Sequence, residues 1–535
     1  MRAAIWAVPL LALWALPAGA GFAAALIAAA DASAWTALLA HPQLWQALAL
    51  SLFTGTVSTL LALFCTLIIA AGFYRGTLWH SLQPIAAAGL ALPHLAFAIG
   101  FGFLIMPSGV LARLVIGGGE PPQWVTAQDP LGLALIAALV LKEIPFLFVM
   151  AWSALSRGDA APSLEGQTRA AASLGHGSGS IWLRIVQPQL LRQLRWPLIA
   201  VFVYAATVVD MALVIGPTQP PTLAVIAWHD LNDGEAQTGA RGLSGAVFLT
   251  AVLGGWLAIA ALLARLAGTA SRSTLTAGPS PAEVPAALAG TIAGICGAVT
   301  VAIMVVLAIL SLAARWPYPA LWPQAFGAAA WSGLLGDAAP LCLSLGLALF
   351  TSATALLLVV LWFETQDQSR DRWLLGLALA ALGLPPLVIA AGQYRLFLTL
   401  DLTGSLLGLF LVHLTPVLAY VAIVLAGPYR GFDPRFVAAA RALNASPWRL
   451  WWRIKAPLLK GPLLNAAAIG FAVGMVQFVP AQLIAAGRYD TLPMAAVTLS
   501  SGGNRGLTAA YALALALPPL MAFAVAGLAG RPRWR

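Results

Sequence analysis

Residues 169–188 read RAAASLGHGSGSIWLRIVQP, and residues 438–457, 269 positions later, read AAARALNASPWRLWWRIKAP. The shared frame sets Arg169-Ala170-Ala171 against Ala438-Ala439-Ala440, Leu174-Gly175 against Leu443-Asn444, Ile185 against Ile454, and Pro188 against Pro457. The spacing predicts a short helix in each copy. Gln167, Ala170, Ala171 and Leu174 share one face of the first, and Phe436, Ala439, Ala440 and Leu443 the same face of the second. Alanine on that face lets a partner approach closely, and Gly175 or Asn444 suits a left-handed helix stop. A second short helix is expected over Ser180 to Val186 and Pro447 to Ile454, before Pro188 or Pro457 opens the return to the body. Basic loops lying on anionic headgroups would explain the arginines around both copies. They would not explain why one spacing recurs.

Outside these copies the chain is apolar. Over 535 residues it is 61% hydrophobic and 9% charged, with mean hydropathy +0.89, too little polar surface to face water. It belongs in a bilayer. Each crossing takes roughly 20 residues, and backbone facing lipid must bond internally, so the runs are expected to be helices. Twelve emerge, in two sets of six. The first set is Ile5 to Ala29, Ala47 to Tyr74, Leu82 to Met106, Leu131 to Ala154, Trp196 to Ile215 and Ser244 to Leu266. The second is Leu288 to Ala314, Leu341 to Phe363, Trp373 to Ala391, Leu402 to Ala426, Leu463 to Ala486 and Thr508 to Ala529. The expected fold is thus all-α and membrane-embedded, with two parallel six-helix repeats. Residues 1–267 form the first half, with its polar loop at 157–195. Residues 268–287, rich in Ser, Thr, Gly, Pro and Ala, form a linker, and 288–535 form the second half, with its polar loop at 428–462.

Charge orients the bundle. With the amino terminus inside, 21 of the 28 Lys and Arg residues fall on the cytoplasmic side and six outside, the bias that sets topology. Both termini and both repeated segments are then cytoplasmic. The net charge of +10 follows the loops rather than one helix face, which points away from nucleic acid. Met1-Arg2 and the following apolar stretch resemble a secretory signal, but the run reaches about Ala30, long enough to span, and is expected to stay. Cys65, Cys296 and Cys342 are scattered through apolar runs, with no disulfide or metal spacing.

Polar residues inside spans are expected to face a partner or a wet cavity, because charge at mid-bilayer costs several kcal/mol. Lys142-Glu143-Ile144-Pro145 interrupts the fourth span and Asp210 lies in the fifth; His413 with Pro416 and Gln477 are the nearest second-half counterparts. These are candidate pathway residues. A self-contained Lys–carboxylate network with a proline kink is the alternative. The outer loops Gly216-Pro217 and Pro220 to Leu223, with counterparts in Gly487 to Pro493, are candidate surfaces for an external protein. The phosphate-binding loop Gly-x4-Gly-Lys-Ser/Thr is absent, since Lys142, Lys455 and Lys460 follow Leu, Ile and Leu.

The paired segments resemble the Glu-Ala-Ala, three residues, Gly, nine residues, Ile, one residue, Leu-Pro loops of permease subunits in bacterial ATP-binding-cassette importers. The whole chain looks like two such permeases fused, as in the ferric-iron and thiamine branch. The departures are Arg169 and Ala438 at the acidic position, Asn444 at the glycine, and Gln187 and Ala456 before proline. The resemblance implies coupling helices that sit in grooves of two ATPase subunits, and a periplasmic binding protein that delivers substrate. It also implies an inner-membrane transport subunit that is not an enzyme and holds no cofactor or metal of its own, the ATP and Mg being used by its partners. Substrates of that branch are thiamine-like compounds, ferric iron or polyamines; the deep Glu143 and Asp210 favour a thiamine-like cation. Two other classes remain: an ion-coupled secondary carrier of six plus six helices, and an integral membrane enzyme acting on lipid-linked substrates, for which the acidic groups are too scattered.

Overall fold

The computed structural model describes residues 17–27, 29–116, 119–157, 161–270, 278–284 and 286–530. The fold is helical, as the apolar runs require. Among the described residues eight helices are long and apolar enough to cross a membrane, or eleven if three sharply bent pairs each count as one span. Most of the first expected span, Ile5 to Ala29, lies outside the described residues. The one sheet described is a two-stranded antiparallel hairpin, Ala313–Arg315 with Ala325–Phe326.

Several spans expected to be continuous are broken. The third divides into Trp79–Ala91 and His94–Ile105, and the ninth into Gln368–Gly383 and Pro386–Thr399, bent by 102°. Both breaks fall at Leu-Pro, Leu92-Pro93 and Leu384-Pro385, because proline lacks an amide proton and biases the residue before it away from helix. The fifth divides into Gln187–Thr207 and Asp210–Ile215, and the eleventh into Lys460–Met475 and Val479–Ala485. The fourth corrects the opposite expectation. Leu133–Leu155 runs through Pro145 without interruption, and its counterpart Leu406–Arg430 runs through Pro416.

Polar hydrogen bonds repeat between the halves. Helix Leu44–Phe73 holds Ser51, whose Oγ accepts the Leu223 amide at 2.9 Å; helix Ala339–Thr365 holds Ser344, whose Oγ accepts the Leu492 amide at 2.7 Å. Thr222-Leu223 and Thr491-Leu492, 269 residues apart, therefore open two buried short helices, Leu223–Asn232 and Leu492–Ser500. This removes them from the outer surface expected for an external partner. Thr218, Gln219 and Ala486 to Arg488 stay exposed.

The chain path places both repeated segments on one rim. Residues 278–284 lie against the first segment, Ala286–Leu312 crosses to the hairpin rim, and Ala339–Thr365 crosses back. Near its end Glu364 binds Lys455 of the second segment at 2.6 Å. On the opposite rim the buried Arg113 donates to the carbonyls of Ser108, Trp316, Pro317 and Ala320, tying the halves together. The largest core cluster draws residues from both halves, from Leu38 and Leu44 to Leu515.

Candidate functional site

The repeated segments fold alike. The first short helix is Ala161–Ser173 in one copy and Pro434–Ala442 in the other. Gly175 and Asn444 take positive φ, 86° and 54°, and the next amide closes the stop, His176 N donating to Ala171 O and Ala445 N to Ala440 O. That is one six-to-one helix stop built twice. Then come Ser178–Ile181 with the wide turn Trp182–Val186, and Pro447–Leu450 with the wide turn Trp451–Lys455. Pro188 sits in the first turn of Gln187–Thr207, where its missing amide proton costs nothing. Pro457 sits in Ala456–Leu458, before a 78° bend into Lys460–Met475.

Burial splits the expected docking face in two. Ala171 and Ala440 turn inward and are buried, so they pack the helix onto the body. Gln167 with Ala170 and Leu174, and Phe436 with Ala439 and Leu443, stay exposed. Leu174 is 69% and Leu443 83% exposed, each at the tip of its stop. Equivalent places in the two polar loops thus carry a leucine that the body of the protein leaves uncovered. Arg169 is exposed and paired with Glu165 one turn earlier, so the carboxylate missing from position 169 stands at 165. Glu165 also binds Arg75 at 2.9 Å. Ile185 and Ile454 are half-buried along the second helices. The second segment is anchored differently: Asp371 takes Arg430 in a two-pronged pair at 2.6 and 2.8 Å, and Tyr429 and Lys455 share Glu364. Behind it lies a cavity of about 340 Å³, lined by Tyr429, Arg430, Val437, Ala438, Arg441 and Lys455 among others.

The polar residues of the spans separate into two kinds. Lys142 Nζ donates to Leu92 O at 2.6 Å and to Gly89 O at 3.0 Å, the open carbonyls where Trp79–Ala91 ends. A cation there satisfies the negative end of a helix dipole. Its neighbour Glu143 is buried, with Oε1 at 3.3 Å from His94 Nε2, at the positive start of the next half-helix. Two consecutive residues of one helix thus pin both sides of the break at Leu92-Pro93. Pro145 packs along the same crossing, beside Gly89.

Glu143 also belongs to a cluster. The His94 ring lies 4.8 Å from that of Tyr204, and Asp210 and Tyr420 lie near enough to act on this group electrostatically. Tyr420, from the other half, is 41% exposed although it sits in mid-span. His94, Tyr204 and Tyr420 escape a sequence reading because an aromatic or a histidine in an apolar run carries no positional signal. The placing of His94 directly after Leu92-Pro93, and so at a break, was the available clue.

The second-half candidates stand apart from this cluster. His413 is buried and its Nδ1 meets Leu409 O of its own helix at 2.7 Å. Gln477 donates to Val473 O at 2.8 Å, and Pro416 is half-buried in its helix. Among the described residues no three His, Cys, Asp or Glu side chains are grouped to hold a metal ion.

The chain is 30% identical over 498 residues to the inner membrane ABC transporter permease protein YnjC of Escherichia coli, covering 93% of this chain and 90% of that protein. Shorter similarities reach the spermidine/putrescine permease PotC of Haemophilus influenzae, 26% identical over 22% of this chain and 46% of that protein. The molybdenum permease ModB of Mycobacterium bovis is 29% identical over 33% of this chain and 66% of its own. No family model matches the chain.

Proposed function

The chain belongs to the membrane-spanning permease subunits of ATP-binding-cassette transporters, and from that membership we propose that it supplies both permease halves of a binding-protein-dependent importer. The observation that carries the proposal is the pair of exposed apolar tips, Leu174 and Leu443, on equivalent stops of one rim. Each fits the groove of one ATPase subunit, so two ATPase copies serve one chain. In this reading residues 1–267 and 288–535 each supply six spans and 268–287 joins them. Both termini and both coupling loops are cytoplasmic. A periplasmic binding protein meets the opposite rim at exposed positions such as Thr218, Gln219 and Arg488. Closure of the ATPases pushes the segments Arg169 to Pro188 and Ala438 to Pro457, and the halves rock about the space between them. ATP and Mg belong to the partner subunits, and lipid surrounds the spans.

The substrate class we propose is a small organic cation, a thiamine-like compound or a polyamine. Glu143 and Asp210 supply negative charge beside that space, and Tyr204 and Tyr420 supply aromatic faces suited to cations. Lys142 is occupied by two carbonyls and offers little to an oxyanion. The test is uptake into vesicles holding this chain with its ATPase and a cognate binding protein, using labelled thiamine, spermidine and molybdate in parallel. ATP-dependent uptake of either cation is expected. Uptake by the chain alone under an ion gradient, or a preference for molybdate, refutes the reading.

A further inference from the structure

The two coupling loops differ at one paired position. The short helix Pro447–Leu450 is capped by its own Ser446, whose Oγ accepts the Arg449 amide at 3.3 Å. The equivalent residue 269 positions earlier is Gly177, with no side chain to cap Ser178–Ile181. Those orphan amides are satisfied from elsewhere. Ala282 O accepts Gly179 N at 2.9 Å and Ser180 N at 3.3 Å, and Ser280 O accepts Gly177 N at 2.8 Å. In return Val284 N donates to Ser178 Oγ and Arg184 to Gly278 O. A Cβ at residue 177 would stand 2.5 Å from Ala282 O, and one at residue 179 would stand 2.9 Å from it. Glycine at both positions is what lets the joining segment lie in the loop.

We infer that residues 278–284 are a working part of the first coupling loop: they cap its second helix and strap that loop to the first span of the other half. Val284 packs in the same apolar cluster as Leu164 and Trp182 of the loop and Ile292 and Cys296 of helix Ala286–Leu312. Two residues past Val284 the chain enters that helix, which packs on Leu44–Phe73, His94–Ile105 and Arg505–Ala529. Movement of the first loop is therefore delivered to both halves at once. The second loop is tied by Glu364 and Asp371 to its own half. A joining segment usually read as slack becomes the element that synchronises the two halves, and Gly177, Gly179, Ser280 and Ala282 are its positioning residues.

The inference rests on the docking reading above, and one experiment separates the two. The full chain is purified with its ATPase after Cys65→Ala and Cys342→Ala, which leaves the half-buried Cys296 as a maleimide reporter on helix Ala286–Leu312. Labelling is timed without nucleotide and with ATP plus vanadate. With the native segment, nucleotide is expected to change the rate about fivefold, the low end of ordinary coupling between sites. Replacing 278–284 by a Gly-Ser tract of equal length removes the Val284 anchor and the stiffening Pro279 and Pro281 that hold these carbonyls in place, and should abolish that change while the ATPase co-purifies as before. Adding Gly177→Ser to the Gly-Ser chain should restore the thermal stability of the loop, as Ser446 provides in the second, and leave the labelling change absent. Full nucleotide response in the Gly-Ser chain overturns the strap, as does no response in a native chain that holds its ATPase. Failure of any ATPase to accompany the native chain overturns the docking reading, and the strap with it.

Discussion

Lys142→Met isolates the helix break at Leu92-Pro93 from the transport pathway. Methionine keeps the length and apolar stem of lysine and removes the ammonium that meets Leu92 O and Gly89 O at 2.6 and 3.0 Å. Each orphaned buried carbonyl costs about 1–3 kcal/mol. The gain from no longer desolvating an ammonium offsets part of the combined cost of the two carbonyls, and Glu143 keeps its contact with His94. A net loss of about 3 kcal/mol follows. With an unfolding entropy of about 2 cal/mol/K per residue, a chain of 535 residues should lose about 3 °C in Tm. His413→Leu, in the matching helix of the second half, removes one contact within a single helix, worth about 1 kcal/mol and about 1 °C. The assay is a thermal melt of both variants in one detergent, with the ATPase-coupled uptake KM measured alongside. Equal melts for the two variants, or a raised KM for Lys142→Met at unchanged Tm, would refute the capping role and return Lys142 to the pathway.

The cluster should behave in the opposite way. Glu143→Gln and Asp210→Asn are expected to cut cation uptake about tenfold or more each, since a charge pair at 4 Å is worth about 4 kcal/mol at a protein-like dielectric, while Tyr420→Leu lowers it less; unchanged uptake would remove the cluster from the route. Leu174→Asp and Leu443→Asp should each lose the roughly 1.5–3 kcal/mol of burying a leucine in a partner, seen as ATPase missing from the purified complex, with the double variant losing it entirely. Ser51→Ala and Ser344→Ala each strand a buried amide, of Leu223 or Leu492. Each should cost about 1–3 kcal/mol, and the two should add, because they lie in separate halves. Asp433 caps Pro434–Ala442, and its carboxyl is held below the ordinary value by the Arg435 side chain and backbone amide. The folded value is depressed, so the cap's contribution is present above pH 4 and fades as pH falls through the folded value; hydrogen exchange of this helix should quicken there, and Asp433→Asn should remove the pH dependence.

The membrane class, the helical fold and the repeat were legible because each rests on something local: apolar length, and a small-residue helix stop that only a few residues can make. Gly175 and Asn444 adopt the left-handed turn their chemistry suggests. Three kinds of feature were not legible. The break near Val208 has no proline or glycine at the junction to mark it, so tertiary packing decides there, whereas Pro480 opens the half-helix after the break near Val476. Pro145, which looks like a breaker, is absorbed in a continuous helix because a neighbouring half-helix crosses beside it at Gly89. The inward turn of Ala171 and Ala440 follows from how each helix seats on the body, which a face count cannot choose. For the site, sequence alone could nominate Lys142, Glu143 and Asp210 but not divide them. The division needed the positions of two carbonyls in another helix and one histidine ring.

The two halves match in frame and differ in chemistry, and the difference follows a physical rule. In the 269-residue frame Lys142 and Glu143 correspond to Leu411 and Val412, and Asp210 to Val479. Had the halves been identical copies, the space between them would face two Glu143 and two Asp210 side chains. Four like charges around one low-dielectric space repel, and some would be forced to take up protons, weakening the hold on a cation. Fusing both halves in one chain releases that symmetry. The first half carries the carboxylates and the histidine, and the second brings Tyr420 near them. The same release explains the loops: Gly177 could give up its cap only because a joining segment exists on that side to replace it, an option closed to the second loop, where Ser446 remains.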